Sequence, residues 1–230
     1  MMRTIVFVGP TLPADEVAAR LPGAIVRPPV AVGDVLAARR VRRIAIIDGY
    51  FERMAAVWHK EILVAIERGI AVWGAASMGA LRASELARFG MIGVGGIYRA
   101  YARGELVADD EVAVAHLPAE YGFRATSDAL VNLRAGLALA AARSLIDART
   151  HDALVDLARA AFYRERSWPR LLDDARARGL DVEALAAMPK PDRKASDARA
   201  LLRGLARDRG RRPPKLRVPR TWALRVLSRR

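Results

Sequence analysis

The chain contains no cysteine and only three histidines. Disulfides are excluded, and so is any persulfide carried on this chain. A zinc site is not expected, because thiolates and imidazoles are its usual ligands. Lysine is also scarce: four lysines stand against 35 arginines, and Lys60 is the only lysine before residue 190. Guanidinium cannot be deprotonated in a protein, so a lysine kept against this bias is a candidate amine base. No apolar run is long enough to span a bilayer. The first residues, Met1 to Gly9, read as a strand and a turn, without the length or cleavage site of a signal peptide. These absences predict a cytoplasmic protein with no membrane contact.

What is present supports a real core. The 230 residues are 53% apolar, enough for one sizeable domain or one domain with a helical extension. The net charge of +14 is unevenly spread. From Lys190 onward there are 15 basic and 3 acidic residues, which leaves 24 basic and 22 acidic in the rest of the chain. The body is close to neutral and the tail strongly basic. Such a tail suits nucleic acid, an acidic protein or solvent. Nucleic acid ranks last, because the body shows no interleaving of aromatic and basic residues.

Up to about residue 90 the chain alternates between strand and helix patterns. Strands are expected at Thr4–Val8, Ala24–Arg27, Arg43–Ile47 and Ile70–Trp73, and helices at Asp15–Leu21, Gly33–Arg40, Met54–Arg68 and Met78–Arg88. This order predicts an α/β fold: a Rossmann-like parallel sheet with flanking helices, followed by a mainly helical C-terminal region. The glycine-rich run from Phe89 to Ile97 reads as a loop, Tyr98–Arg103 as a short helix, and Asp109–His116 as three acids leading into a strand-like stretch. Helices are expected over Ser127–Ile146, His151–Tyr163, Trp168–Arg178 and Ser196–Arg207. The resulting division is an α/β core over 1–118, a helical region over 119–209 and a basic, flexible tail over 210–230.

The sharpest local signal is Gly74-Ala-Ala-Ser-Met-Gly79, set between a strand and a helix. It approximates a nucleophile elbow, with Ala75 where glycine is usual. In that reading Ser77 is a nucleophile and the N–H groups of Met78 and Gly79 form an oxyanion hole at a helix N-terminus. The plainer reading makes Ser77 an N-cap. In a parallel sheet, Asp48 at the end of one strand and Ser77 after the next fall on the same edge. His59 and Lys60 open the intervening helix. Two arrangements follow: a triad of Ser77, His59 and Asp48, or a Ser77–Lys60 dyad. The helical wheel puts His59 nearer the apolar face. Arg82 and Glu85 are spaced as a helical ion pair, and Arg82 could alternatively bind a substrate carboxylate or thiocarboxylate. Asp109, Asp110 and Glu111 suit a cation, a basic partner or solvent.

Asp48-Gly-Tyr-Phe51, His59-Lys-Glu61, Gly74-Ala-Ala-Ser-Met-Gly-Ala-Leu-Arg82, Gly90-Met-Ile-Gly-Val-Gly95 and Asp109-Asp-Glu-Val112 together resemble the TfuA-like family. The similarity runs from about Val6 to Trp168 and leaves out the basic tail. The resemblance implies a role beside a YcaO protein, which activates peptide backbone amides with ATP, in thioamidation of a ribosomal peptide or protein. No cofactor is expected on this chain itself. The expected partners are the YcaO protein, the peptide or protein substrate and a small sulfur-carrier protein. A serine-dependent hydrolase releasing sulfide from a carrier thiocarboxylate is one expectation. A non-catalytic adaptor is the other.

Overall fold

The computed structural model describes residues 3–52 and 54–227. Its elements, in chain order, are β1 (Thr4–Phe7), α1 (Ala14–Arg20), β2 (Ile25–Arg27), α2 (Asp34–Ala37), β3 (Arg43–Ile46), α3 (His59–Glu67), β4 (Ala71–Gly74), α4 (Met78–Leu86), β5 (Ile92–Gly93) and α5 (Gly96–Ala102). Helices then dominate: α6 (Leu130–Ala142), α7 (Ala148–Ala160), α8 (Trp168–Ala177), α9 (Glu183–Ala187), α10 (Arg193–Arg207) and α11 (Trp222–Leu227). Two compact units result, one of Met1–Val107 with Ala195–Arg230 and the other of Ala108–Lys194. The sheet unit is therefore discontinuous in sequence.

The five strands form one parallel sheet in the order β2-β1-β3-β4-β5. Alternate strand residues point to opposite faces. Ile5, Phe7, Ile44, Ile46 and Val72 meet Val35 of α2, Ile62 and Ile66 of α3, and Leu86 of α4. Val6, Ala45, Ile47 and Trp73 meet Val17 of α1 and Ala198, Leu201 and Leu205 of α10. Both faces are thus covered, as a parallel sheet requires, and the architecture is Rossmann-like. The second face depends on a helix that enters after an excursion of more than eighty residues. Arg199 of α10 and Arg20 both donate to Glu16 of α1, at 2.7 Å each, which ties the two covering helices together.

In the second unit, local signals mark the starts of α7 and α8. Asp147 accepts the Thr150 N–H at 2.7 Å, and Ser167 accepts the Arg170 N–H at 3.3 Å, ahead of a proline in the first turn of α8. Leu130, Leu133 and Leu137 of α6, Leu154 of α7, and Trp168 and Leu172 of α8 form its core.

Four details depart from the sequence reading. Helix α3 starts at His59 rather than Met54, because the preceding backbone is used elsewhere: Ala55 O accepts the Val32 N–H at 2.9 Å and Val57 O accepts Arg82 Nε at 3.2 Å. The glycine-rich run holds β5, whose Gly93 leaves room for the Tyr98 ring. Asp109–Glu111 is a 3-10 turn with no strand after it, only an isolated bridge from His116 to Ala125. Residues 211–221 have no helix or strand, but Val218 and Leu224 are buried against Leu36 and Val64.

The first turn of α4 lies directly on the sheet. A Cβ on Gly79 would overlap the Ile46 carbonyl, whereas one on Gly69, at φ 80°, would meet nothing. Gly79→Ala is expected to lower folding stability by about 3 kcal/mol in urea melts, against about 1 kcal/mol for Gly69→Ala from its left-handed backbone alone. A pH effect follows from Glu16. Hydrogen bonds from Arg199 and then Arg20 hold its carboxyl down at about 2, against 4.5 ordinarily. A depressed carboxyl adds stability above its unfolded value and loses it as pH falls through its folded value. The Tm deficit of Glu16→Gln at neutral pH should therefore close as pH falls from 4.5 to about 2.

Candidate active site

Strand β4 leads straight into the serine turn. Ala75 N–H donates to Ile46 O at 3.2 Å, and Ser77 N–H donates to Ala75 O at 2.8 Å. Between them Ala76 takes φ 67°, a left-handed conformation that disfavours any residue with a Cβ by roughly 1–2 kcal/mol. Strain of this kind concentrates at functional sites. Ser77 occupies the N-cap position of α4, yet its hydroxyl makes no capping hydrogen bond. The residue is 3% exposed. The N-cap reading thus accounts for the position of Ser77 and not for its side chain.

The expected oxyanion pair is incomplete. Gly79 N–H donates to Ile47 O at 3.3 Å, because the close approach of α4 aims it at the end of β3. Met78, as the first helical residue, has no intrahelical acceptor for its N–H.

Strands β3 and β4 are neighbours, with Ile46 opposite Gly74, so Asp48 and Ser77 do lie on one edge. Asp48 serves a different purpose from the orienting acid of a triad. Its Oδ2 accepts the Gly9 and Thr11 N–H groups at 2.9 and 3.0 Å, and its Oδ1 accepts the Thr11 hydroxyl at 2.6 Å. Asp48 is buried and stitches together the loops after β1 and β3, where the chain direction across the sheet reverses.

His59 finds a different carboxylate. Its Nε2 lies 2.7 Å from Glu85 Oε2, and Arg82 Nη1 donates to the same oxygen at 2.8 Å. The structure therefore joins His59, Arg82 and Glu85 into one cluster bridging α3 and α4. His59 is exposed rather than turned to the apolar face, because α3 begins with it. Lys60 Nζ donates to the Thr221 hydroxyl at 3.0 Å, which links α3 to the basic tail. The three acids of the second unit have separate fates. Glu111 receives Arg134 at 2.8 Å, Asp110 receives the buried Arg166 at 2.6 Å, and Asp109 is exposed. Among the described residues, no group of three or more His, Asp or Glu could hold a metal ion.

Glu61 was not singled out by sequence reasoning. It is fully buried and accepts the Gly33 and Trp58 N–H groups at 2.8 and 3.1 Å. Burial pushes its carboxyl above the ordinary value, against the backbone donors Gly33, Trp58 and Leu36. Only the Trp58 contact is local enough to be read from spacing. A pocket of about 520 Å³ opens on the β2 side of the sheet, lined by Phe7, Arg27, Asp34, Tyr50 and Met54 among others, and by none of Ser77, His59 or Lys60. Burial, with the Asp34 carboxylate nearby, pushes the Tyr50 phenol up. The geometry of the serine turn outweighs this cavity as a guide to chemistry, because the pocket walls bring no nucleophile and base together.

The fold and site define a Rossmann-like α/β protein with a strained serine turn at the carboxyl edge of its sheet. The family model of the TfuA-like proteins matches residues 48–167, more than half of the chain, and the chain belongs to that family. The family is associated with YcaO proteins, and membership supports a role in YcaO-associated thioamidation. No curated protein matches the chain. The matched span takes in Ser77 and the His59–Glu85 cluster and ends before the basic tail. No helix among the described residues is long and apolar enough to cross a membrane.

The role assigned to Asp48 has a direct check. Hydrogen bonds to a charged group are each worth roughly 1.5–3 kcal/mol. Asp48→Asn should lower stability by about 2–3 kcal/mol in urea melts, and Thr11→Val should reproduce part of that loss.

Proposed function

We propose that this protein supplies sulfur to a YcaO partner by hydrolysing the C-terminal thiocarboxylate of a small sulfur-carrier protein, with Ser77 as nucleophile. The carrying observation is a buried serine hydroxyl that does not cap its own helix, in a turn strained at Ala76. Ser77 Oγ attacks the acyl carbon and gives its proton to a base. The new C–O bond gives a tetrahedral oxyanion; as it collapses the C–S bond breaks, the base hands the proton to the sulfur, and hydrosulfide leaves. Water then attacks the ester, releasing the carrier carboxylate and restoring the Ser77 hydroxyl. The Met78 N–H is the oxyanion donor this chain offers. His59 fits the base because Glu85 orients its ring, as a carboxylate does in base–orienter pairs. Lys60 is the other candidate. The partner YcaO protein, not this chain, uses ATP to activate the peptide amide.

A second reading, a non-catalytic adaptor for YcaO and its peptide substrate, draws support from the Gly79 N–H, which is already bonded to Ile47. Sulfide measured after mixing the purified chain with a thiocarboxylated carrier separates the two. Under the hydrolase reading the chain alone releases sulfide. Ser77→Ala should then lose about a thousandfold or more with unchanged melting. Release only when the YcaO protein is added supports the adaptor, and full release by Ser77→Ala overturns the covalent role of Ser77.

A further inference from the structure

The basic tail is docked on the sheet unit. Helix α10 ends where Arg43 Nη1 donates to Leu205 O at 2.7 Å. The chain then runs as an extended strap. Pro214 fills the space beside Gly90, Val218 N–H donates to Glu67 Oε1 at 2.8 Å, and Arg220 pairs with Glu67 Oε2. Thr221 reaches Lys60. The strap thus runs along α3 from its last residue to its second.

Its side chains sort by direction. Leu216 and Val218 turn inward with Leu224 onto Leu36 and Val64, while Lys215 and Arg217, on either side of Leu216, are exposed. Arg209, Arg211 and Arg212 are exposed as well. Among the described residues, Arg209, Arg211, Arg212 and Lys215 make no ion pair. The row ends on α11, where Trp222 is 78% and Val226 42% exposed. Four residues apart, these two share a helix face, with Arg225 beside them and Leu224 buried behind.

We infer that the strap and α11 form a docking surface for an acidic segment of another protein, one that carries an apolar anchor side chain. The cationic row attracts and orients carboxylates, and the Trp222–Val226 face takes the anchor. A protein is favoured over a nucleic acid on two grounds. Val226 gives the aromatic ring an aliphatic neighbour, which suits a side chain better than a stacked base. Glu67 sits beneath Arg217 and Arg220, which breaks up the continuous positive track that a phosphate backbone prefers. The surface lies outside the span shared with the TfuA-like family. It does not depend on the chemistry proposed for Ser77.

The test uses the full chain and three labelled probes: an acidic amphipathic peptide with leucines one helical turn apart, an all-glutamate peptide of equal charge, and oligothymidylate. The expected result is tightest binding of the amphipathic peptide. Trp222→Ala, which leaves the charge unchanged, should weaken it about tenfold or more, and Arg211→Glu with Arg212→Glu and Lys215→Glu should weaken both peptides. Unchanged melting curves would confirm that these exposed substitutions leave the fold intact. Equal binding of the two peptides with no effect of Trp222→Ala would reduce the strap to unspecific electrostatics and overturn the proposal. Tighter binding of oligothymidylate would overturn it in favour of nucleic acid.

Discussion

The candidate site depends on one close approach, that of the first turn of α4 to the ends of β3 and β4. Gly79 lies on the Ile46 carbonyl and Gly74 lies on the carbonyl of Gly79, so neither position has room for a Cβ. This contact has three consequences. It forces the left-handed turn at Ala76. It sets Ser77 at the end of the sheet, and it directs the Gly79 N–H to Ile47 O. The feature that places the hydroxyl therefore also removes one of the two donors that a simple elbow would provide.

Around that turn the carboxylates are distributed by topology. The order β2-β1-β3 places the loop after β1 beside Asp48, and three hydrogen bonds commit that carboxylate to holding the switch point closed. The packing of α3 beside α4 brings Glu85 to His59. The acid that could orient a histidine is thus supplied by the serine's own helix, one strand away from where chain order suggests it. Lys60 and His59 are adjacent in sequence but diverge as helix neighbours must, one toward the tail and the other toward α4.

Much of this was legible in local pattern. Short apolar, β-rich runs marked four of the five strands, and the alternation with helices implied the parallel sheet. The Arg82–Glu85 spacing implied a contact on one helix face. Of the motifs carrying the family resemblance, Asp48–Phe51 and Gly74–Arg82 lie at the carboxyl edge and His59–Glu61 opens α3, whereas Gly90–Gly95 runs through β5 and Asp109–Val112 belongs to the second unit. What local pattern missed depends on partners far along the chain. The start of α3 is decided by Val32 and Arg82, which occupy backbone groups the helix would need. Strand β5 is only two residues long, in a run too rich in glycine to read as a strand. The three acids at 109–111 look alike in sequence, yet Arg134 and Arg166 give two of them fixed partners.

The class of fold and the strand–serine–helix turn could be read from short-range patterns of residue type, and the family from the order of its short motifs. The tertiary structure decided which carboxylate serves which group, that α10 closes the second face of the sheet, and that the basic tail lies along α3. Those outcomes depend on hydrogen bonds and apolar contacts between segments distant in the chain, such as His59 with Glu85, 26 residues apart, and Arg43 with Leu205, 162 apart. Side-chain type and local spacing carry no record of such partners, since the same arginine or glutamate satisfies its charge equally well in water until the fold brings its partner within reach.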